Sequence, residues 1–346
     1  MMSGDTALRA TATDRHAARR QLEMVCPAGT PAALRAAVAA GADAVYCGYN
    51  DATNARNFPG LNFSADEMRV AIDHAHRQGV KVLVAINTYP QAGAVDLWRQ
   101  AVRLSAELGA DAVILADIGL LDYAATRHPQ LRRHLSVQAS ASNVDSIRFF
   151  AREFDVKRVV LPRVLTIEEI AALNREIDVE TEVFVFGGLC VMAEGRCSLS
   201  SYVTGQSPNM NGVCSPACAV KYEQRGDRMI SRLGDFTIDS YPADALAGYP
   251  TICKGQYLVR GEPQYLFEEP TSLSALGILP RLQAAGVTAI KIEGRQRGRA
   301  YISEVVTSFR RAVDAIATNA AAPDNNLIRL TEGGQVTKGA YQKAWR

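Results

Sequence analysis

At 346 residues, with 48% hydrophobic and 21% charged side chains, the chain has the make-up of a soluble protein with a sizeable core. A formal net charge of +2 gives no electrostatic case for holding DNA or RNA by bulk attraction, and no apolar run approaches the ~20 residues of a membrane span. Seven cysteines, an odd number, in a chain with no secretory signal argue against a closed disulfide framework and point to a reducing, cytoplasmic setting.

Residues 1–20 are polar and arginine-rich without an apolar stretch, and read as a disordered extension. Regular alternation begins at Leu22. An apolar strand over 22–26 ends in Pro27-Ala-Gly29, and Thr30 caps an alanine-rich helix that runs to Gly41. A second strand covers 43–49. Ser64 and Glu67 form a capping box that opens the next helix, which Gly79 closes. The almost wholly apolar run 81–87 is the third strand, a helix follows over 93–109, and 111–117 is the fourth strand. Further strands are expected near 135–140, 157–162, 182–187 and 288–293, with helical patterns between them.

Eight apolar strands alternating with helices, without a dinucleotide glycine fingerprint, favour a parallel (β/α)8 TIM-type barrel over a doubly wound open sheet. The barrel is expected to span 21–319, leaving 320–346 as a C-terminal tail. Such barrels need about 250 residues, and the excess falls in 188–270, an insertion after strand seven. A loop at that point lies on the C-terminal face, where barrel enzymes keep their chemistry. The same face should collect Asn50, Arg56, Asn87, Asp117, Gln138, Ser140 and Arg163. In strand eight, period-two alternation places Ile290 and Ile292 against the helices and turns Lys291, Glu293 and Arg295 inward. Charges there need partners or a ligand. They suit either an ion-pair network that closes the barrel or a grip on an acidic substrate.

Cys190, Cys197, Cys214, Cys218 and Cys253 crowd the proposed insertion, among glycines and prolines that signal loops. Cys26 and Cys47 sit in apolar strands and read as core thiols. Loop thiols in this number suit an iron–sulfur cluster, a structural zinc, or no ligand at all. The spacing matches neither a ferredoxin run nor paired zinc knuckles, and does not choose between Cys214 and Cys218. The five histidines are scattered through helical or terminal stretches, with His74 and His76 read as surface residues; no hydrolase, nucleotide-binding or metalloprotease motif is present.

The run Glu182-Val-Phe-Val-Phe-Gly-Gly-Leu-Cys190, followed by Glu194-Gly-Arg-Cys197-Ser-Leu-Ser, resembles the signature of the collagenase-like peptidase family. Pro27-Ala-Gly29, Asn54-Ala-Arg-Asn-Phe58 and Lys291-Ile-Glu-Gly-Arg295 extend the likeness over most of the chain. Within the family, the stretch up to Cys197, Cys214-Ser-Pro-Ala-Cys218 and the tail Lys338-Gly-Ala-Tyr-Gln-Lys-Ala-Trp345 are most similar to the ubiquinone-biosynthesis branch. Peptidase-named members carry His at Phe186 and Ser at Glu194, and both departures weaken the protease reading. The resemblance implies a [4Fe–4S] cluster on Cys190, Cys197, Cys214 and Cys253, with Cys218 left out. It implies an oxygen-independent hydroxylase subunit acting on the ubiquinone precursor ring, with prephenate as oxygen donor and a UbiV-like sister subunit as partner in a heterodimer. Lys291 and Arg295 would then hold a substrate carboxylate. RNA-base hydroxylation and peptidase activity are the family's other expectations.

Overall fold

In the computed structural model, eight parallel strands close into a barrel. They are Glu23–Pro27, Ala44–Cys47, Lys81–Ile86, Ala112–Leu115, Arg132–Leu135, Val156–Val160, Glu180–Gly188 and Ala289–Ile292, here called strands one to eight. Closure is direct, because strand eight pairs in parallel with both strand one and strand seven. The structure describes residues 22–318, 320 and 327–342, so the extension expected over 1–20 lies outside it. Among the described residues no helix is long and apolar enough to cross a membrane.

The local signals act as the sequence suggests. The Thr30 side chain accepts from the Ala33 amide at the start of the helix Pro31–Ala39. Ser64 and Glu67 complete their reciprocal cap on Ala65–Arg77, and Thr166 with Glu169 forms a second such box on Ile167–Asn174. Each cap satisfies amides that a helix start leaves without partners, a contribution of about 1 kcal/mol. The outer faces of the strands and the inner faces of the helices share one large apolar core. The last helix, Arg299–Ala317, sinks Ile302, Val305, Val306 and Phe309 into it, each worth about 1.5–3 kcal/mol of burial.

Strand five departs from expectation. It occupies Arg132–Leu135 rather than 135–140, and Val137–Ala139 is a 3-10 turn. Arg132-Arg133-His134 looks too polar for a buried strand, but its two arginines find partners, Arg132 in Glu180. The buried Arg133 guanidinium donates to the carbonyls of Leu131 and Phe154 and to the Asp155 carboxylate. His134 is buried within the strand rather than in a helical stretch.

Inside the barrel the walls differ. Val25, Ala44, Tyr46, Leu83, Ala85, Ala112, Ile114 and Ala289 form a small apolar inner cluster. Opposite them, buried Arg158, Glu182 and Lys291 project from strands six, seven and eight. Between strand seven and the helix Leu279–Ala284 the chain makes two short helices, Leu199–Thr204 and Pro208–Asn211. It then makes a three-stranded antiparallel sheet, a two-stranded hairpin over Gln256–Tyr265, and a strand Ser272–Ser274 that pairs with the end of strand seven. The C-terminal residues Val336–Thr337 pair with that last strand, and the buried Tyr341 hydroxyl donates to the Phe184 carbonyl at 2.6 Å.

Candidate functional site at the barrel mouth

The strand-eight parity read from sequence holds: Ile290 and Ile292 enter the helix-side core, while Lys291 faces the interior. Lys291 Nζ lies 2.6 Å from Glu182 Oε1 and 3.8 Å from the Tyr46 ring centre. Burial pulls its ammonium below the usual lysine range, and the Glu182 carboxylate offsets part of that. Glu182 also takes Arg158, which reaches Glu23 and Glu180 as well. Lys291 therefore tops an ion ladder that rises from the strand starts.

One turn of chain further on, the mouth has its own charges. Glu293 accepts from Arg163 Nη2 at 2.9 Å and from Arg56 Nη2 at 3.1 Å. Burial alone would raise its carboxyl, but the two guanidiniums outweigh burial and hold it below the usual range. Arg163 also binds Glu194 at 2.5 Å and lies 3.7 Å from the Phe184 ring centre. Arg295 is different. Its guanidinium donates to the Asn54 amide oxygen at 2.6 Å, and among the described residues no carboxylate lies within ion-pair distance of it. Burial brings it down to about 10, with Tyr46 raising and Arg56 lowering it further. An anion beside Arg295 would offset that desolvation.

The other residues expected at this face divide. Asn87 accepts from the Ala55 amide, and Ser140 donates to the Glu194 carbonyl, so both brace loops around the mouth. The Gln138 carbonyl accepts the Tyr89 hydroxyl at 2.8 Å. Asp117 caps the helix Ile118–Arg127 through the Leu120 amide, and Asn50 is exposed. Sequence reasoning did not assign Asn54 or Glu194 a partner, because both contacts join segments remote in the chain.

Cys190 follows strand seven directly, Cys197 precedes Leu199–Thr204, Cys214 follows Pro208–Asn211, and Cys253 sits in the 3-10 turn Ile252–Lys254. All seven thiols are free. Burial raises the Cys190, Cys214 and Cys253 thiols, Cys253 to about 11. Their neighbours add to this: Cys214 acts on Cys190, Cys197 on Cys214, and both Cys214 and Cys197 on Cys253. Cys214 is an exposed residue, yet enough protein surrounds its sulfur to push the thiol up. Cys218 lies in the turn Ala217–Ala219 beyond an extended Pro216, and its charge acts on Tyr249. Among the described residues no group of three or more His, Cys, Asp or Glu converges as a single metal ion would need. Cys26 and Cys47 are fully buried, and burial raises both, Cys47 to about 12.

A family profile described as Peptidase family U32 matches residues 29–342. The tRNA hydroxylation protein P of Escherichia coli (strain K12) is 31% identical over 331 residues, covering 90% of this chain and 72% of that protein. A 23S rRNA 5-hydroxycytidine synthase of the same organism is 28% identical, covering 86% of this chain and 40% of the relative. A collagenase of Porphyromonas gingivalis (strain ATCC BAA-308 / W83) is 28% identical, covering 85% and 66%.

Proposed function

Because this chain belongs to peptidase family U32, in which relatives bear hydroxylation names, we propose that it is the iron–sulfur subunit of an oxygen-independent hydroxylase. Its substrate in this reading is the ring of a ubiquinone precursor, as in the UbiU branch, with prephenate as oxygen donor and a UbiV-like sister subunit as partner. The observation that carries the reading is that the Cys190–Cys197 loop and the Cys214 loop are both tied to Glu293, through Arg163 and Arg56, beside a mouth whose Arg295 lacks a carboxylate.

Burial holds the Cys190, Cys214 and Cys253 thiols up, and a cation that takes their charge as thiolates would offset it, which is the condition of a metal site. A single ion would draw its sulfurs to about 2.3 Å from one point. A [4Fe–4S] cluster instead assigns each thiolate its own iron, and so suits four sulfurs that share a region without converging. Held by four thiolates, the cluster would supply electron transfer or local support, since no iron is left open to substrate. The rest falls to the chain itself. Arg295, steadied by Asn54, binds a carboxylate of the donor. Lys291 supports the same position from below, through the Tyr46 ring that both cations approach.

The names of the relatives favour a second reading, hydroxylation of an RNA base. One anaerobic assay separates them. The chain, co-purified with a UbiV-like subunit, is given prephenate with either an unhydroxylated ubiquinone precursor or unmodified RNA. A hydroxylated quinone ring is the expected product. Hydroxylated RNA alone favours the second reading, and neither product overturns both.

A further inference from the structure

We propose that Glu293 is a positioning residue that joins two cysteine-bearing loops at one point of the mouth, through Arg163 on one side and Arg56 on the other. The proposal rests on the reading that those loops carry the cluster.

Each loop is pinned near its middle. In the first, between Cys190 and Cys197, the Glu194 carboxylate takes both Arg163 Nη1, at 2.5 Å, and the Arg163 amide, at 3.3 Å. The Glu194 carbonyl takes the Ser140 hydroxyl. Gly195 presses against the barrel so closely that a Cβ there would lie 1.9 Å from the Gln138 carbonyl oxygen, with φ +81° besides. In the second loop, Gly212 stands two residues before Cys214. Its carbonyl accepts from Arg56 Nη1, and a Cβ on it would lie 2.2 Å from the Ala55 Cβ, at φ +65°. Both glycines answer the same need, a loop backbone lying flat on the mouth.

The two pins meet on one carboxylate. Glu293 Oε2 takes Arg163 and Oε1 takes Arg56, so the Cys190–Cys197 loop and the Cys214 loop are linked through three side chains. Glu293 is itself fixed, since its amide donates to the Phe186 carbonyl at 2.8 Å. The Gly187-Gly188 pair at the end of strand seven makes room for it: a Cβ at Gly188 would lie 2.8 Å from Glu293 Oε2. Without the carboxylate, two guanidiniums would face each other across the mouth with nothing between them. Each would then be free to carry its loop away. A cluster bound by both loops needs its thiolates at a fixed separation, and groups that orient ligands from outside the first shell govern metal retention.

The test uses full-length protein with Glu293→Gln, which keeps shape and loses charge, Glu293→Ala, and Arg56→Met as a one-arm control. Hydrogen exchange is read on metal-free protein over 190–197 and 207–214. With Glu293→Gln, exchange in both loops should quicken about tenfold while the strands stay unchanged. Arg56→Met should loosen only 207–214. On anaerobically reconstituted protein, bleaching of the visible band by a chelator should be about tenfold faster with Glu293→Gln, with the barrel melting temperature retained. Wild-type exchange in both loops of the Glu293 variants would overturn the proposal. So would wild-type bleaching, or equal loosening of both loops by Arg56→Met. If wild-type protein takes up no iron and sulfide, the cluster reading falls, and the exchange data still judge the link between the loops.

Discussion

The ion ladder in the lower barrel is made wholly from strands: Glu23 of strand one, Arg158 of strand six, Glu180 and Glu182 of strand seven, and Lys291 of strand eight. The network at the mouth draws on strand ends and loops instead, with Arg56, Arg163 and Glu194 from three separate segments and Glu293 and Arg295 together after strand eight. In the ladder each buried cation holds at least one carboxylate. At the mouth three guanidiniums share two carboxylates, and Arg295 has only an amide. Such a surplus is costly in a site with nothing to bind and useful in one that receives an anion. The lower network thus serves the fold, and the upper one, with Lys291 beneath it, the candidate site.

The largest effect expected from this contrast is on the ladder. Glu182→Ala leaves Lys291 and Arg158 buried beside a missing charge, and should cost about 3–5 kcal/mol in a urea melt. A loss below about 1 kcal/mol would mean that the ladder is not what holds these strands. Arg295→Ala should do the reverse. It removes an uncompensated buried cation, so the melt should change little, while use of the anionic donor falls about 10- to 100-fold. Unfolding in that variant would move Arg295 into the structural network and erase the distinction.

Acid sharpens the comparison on a smaller scale. Burial would raise the Glu23 and Glu180 carboxyls, but Arg158 outweighs it, and both lie below the usual 4.5. Carboxyls depressed in the folded state contribute stability above that value and lose it as pH falls through their folded pKa. Glu23→Gln with Glu180→Gln should therefore flatten the loss of stability below pH 4.5, seen as melting temperature against pH. An unchanged acid limb would assign it elsewhere. The smallest effect belongs to the C-terminal brace under the mouth. Tyr341→Phe removes the bond to the Phe184 carbonyl and should cost about 1 kcal/mol in the same melt. A change near zero would mean that the brace adds nothing to the support of Phe184 beneath Arg163.

Much of the barrel was legible because its signals are local. Capping at Thr30 and Ser64, and the alternation of Ile290, Lys291 and Ile292, depend on neighbours in the chain and survive folding unchanged. Strand five was misplaced because Arg132-Arg133-His134 hides a strand whose buried Arg133 is satisfied by Phe154 and Asp155, more than twenty residues on. The mouth was half legible. Parity turned Glu293 and Arg295 inward, but Arg56 reaches Glu293 across 237 residues and Arg163 reaches Glu194 across 31. Lys291 shows the same limit: parity pointed it inward, and only the fold supplies Glu182 as its partner. Spacing alone likewise could not tell Cys214 from Cys218. In the fold Cys214 follows the helix Pro208–Asn211 and Cys218 lies in the turn Ala217–Ala219.

The most direct test of the cluster reading is iron and acid-labile sulfide, measured on anaerobically purified wild-type protein and on single alanine variants of Cys190, Cys197, Cys214, Cys218 and Cys253. Wild-type protein and Cys218→Ala should contain iron and sulfide in equal amounts and absorb broadly in the blue. The other four variants should lose both, since a missing thiolate leaves an iron open to water. Colourless, zinc-loaded wild-type protein would contradict the account, as would Cys218→Ala losing iron while Cys214→Ala keeps it.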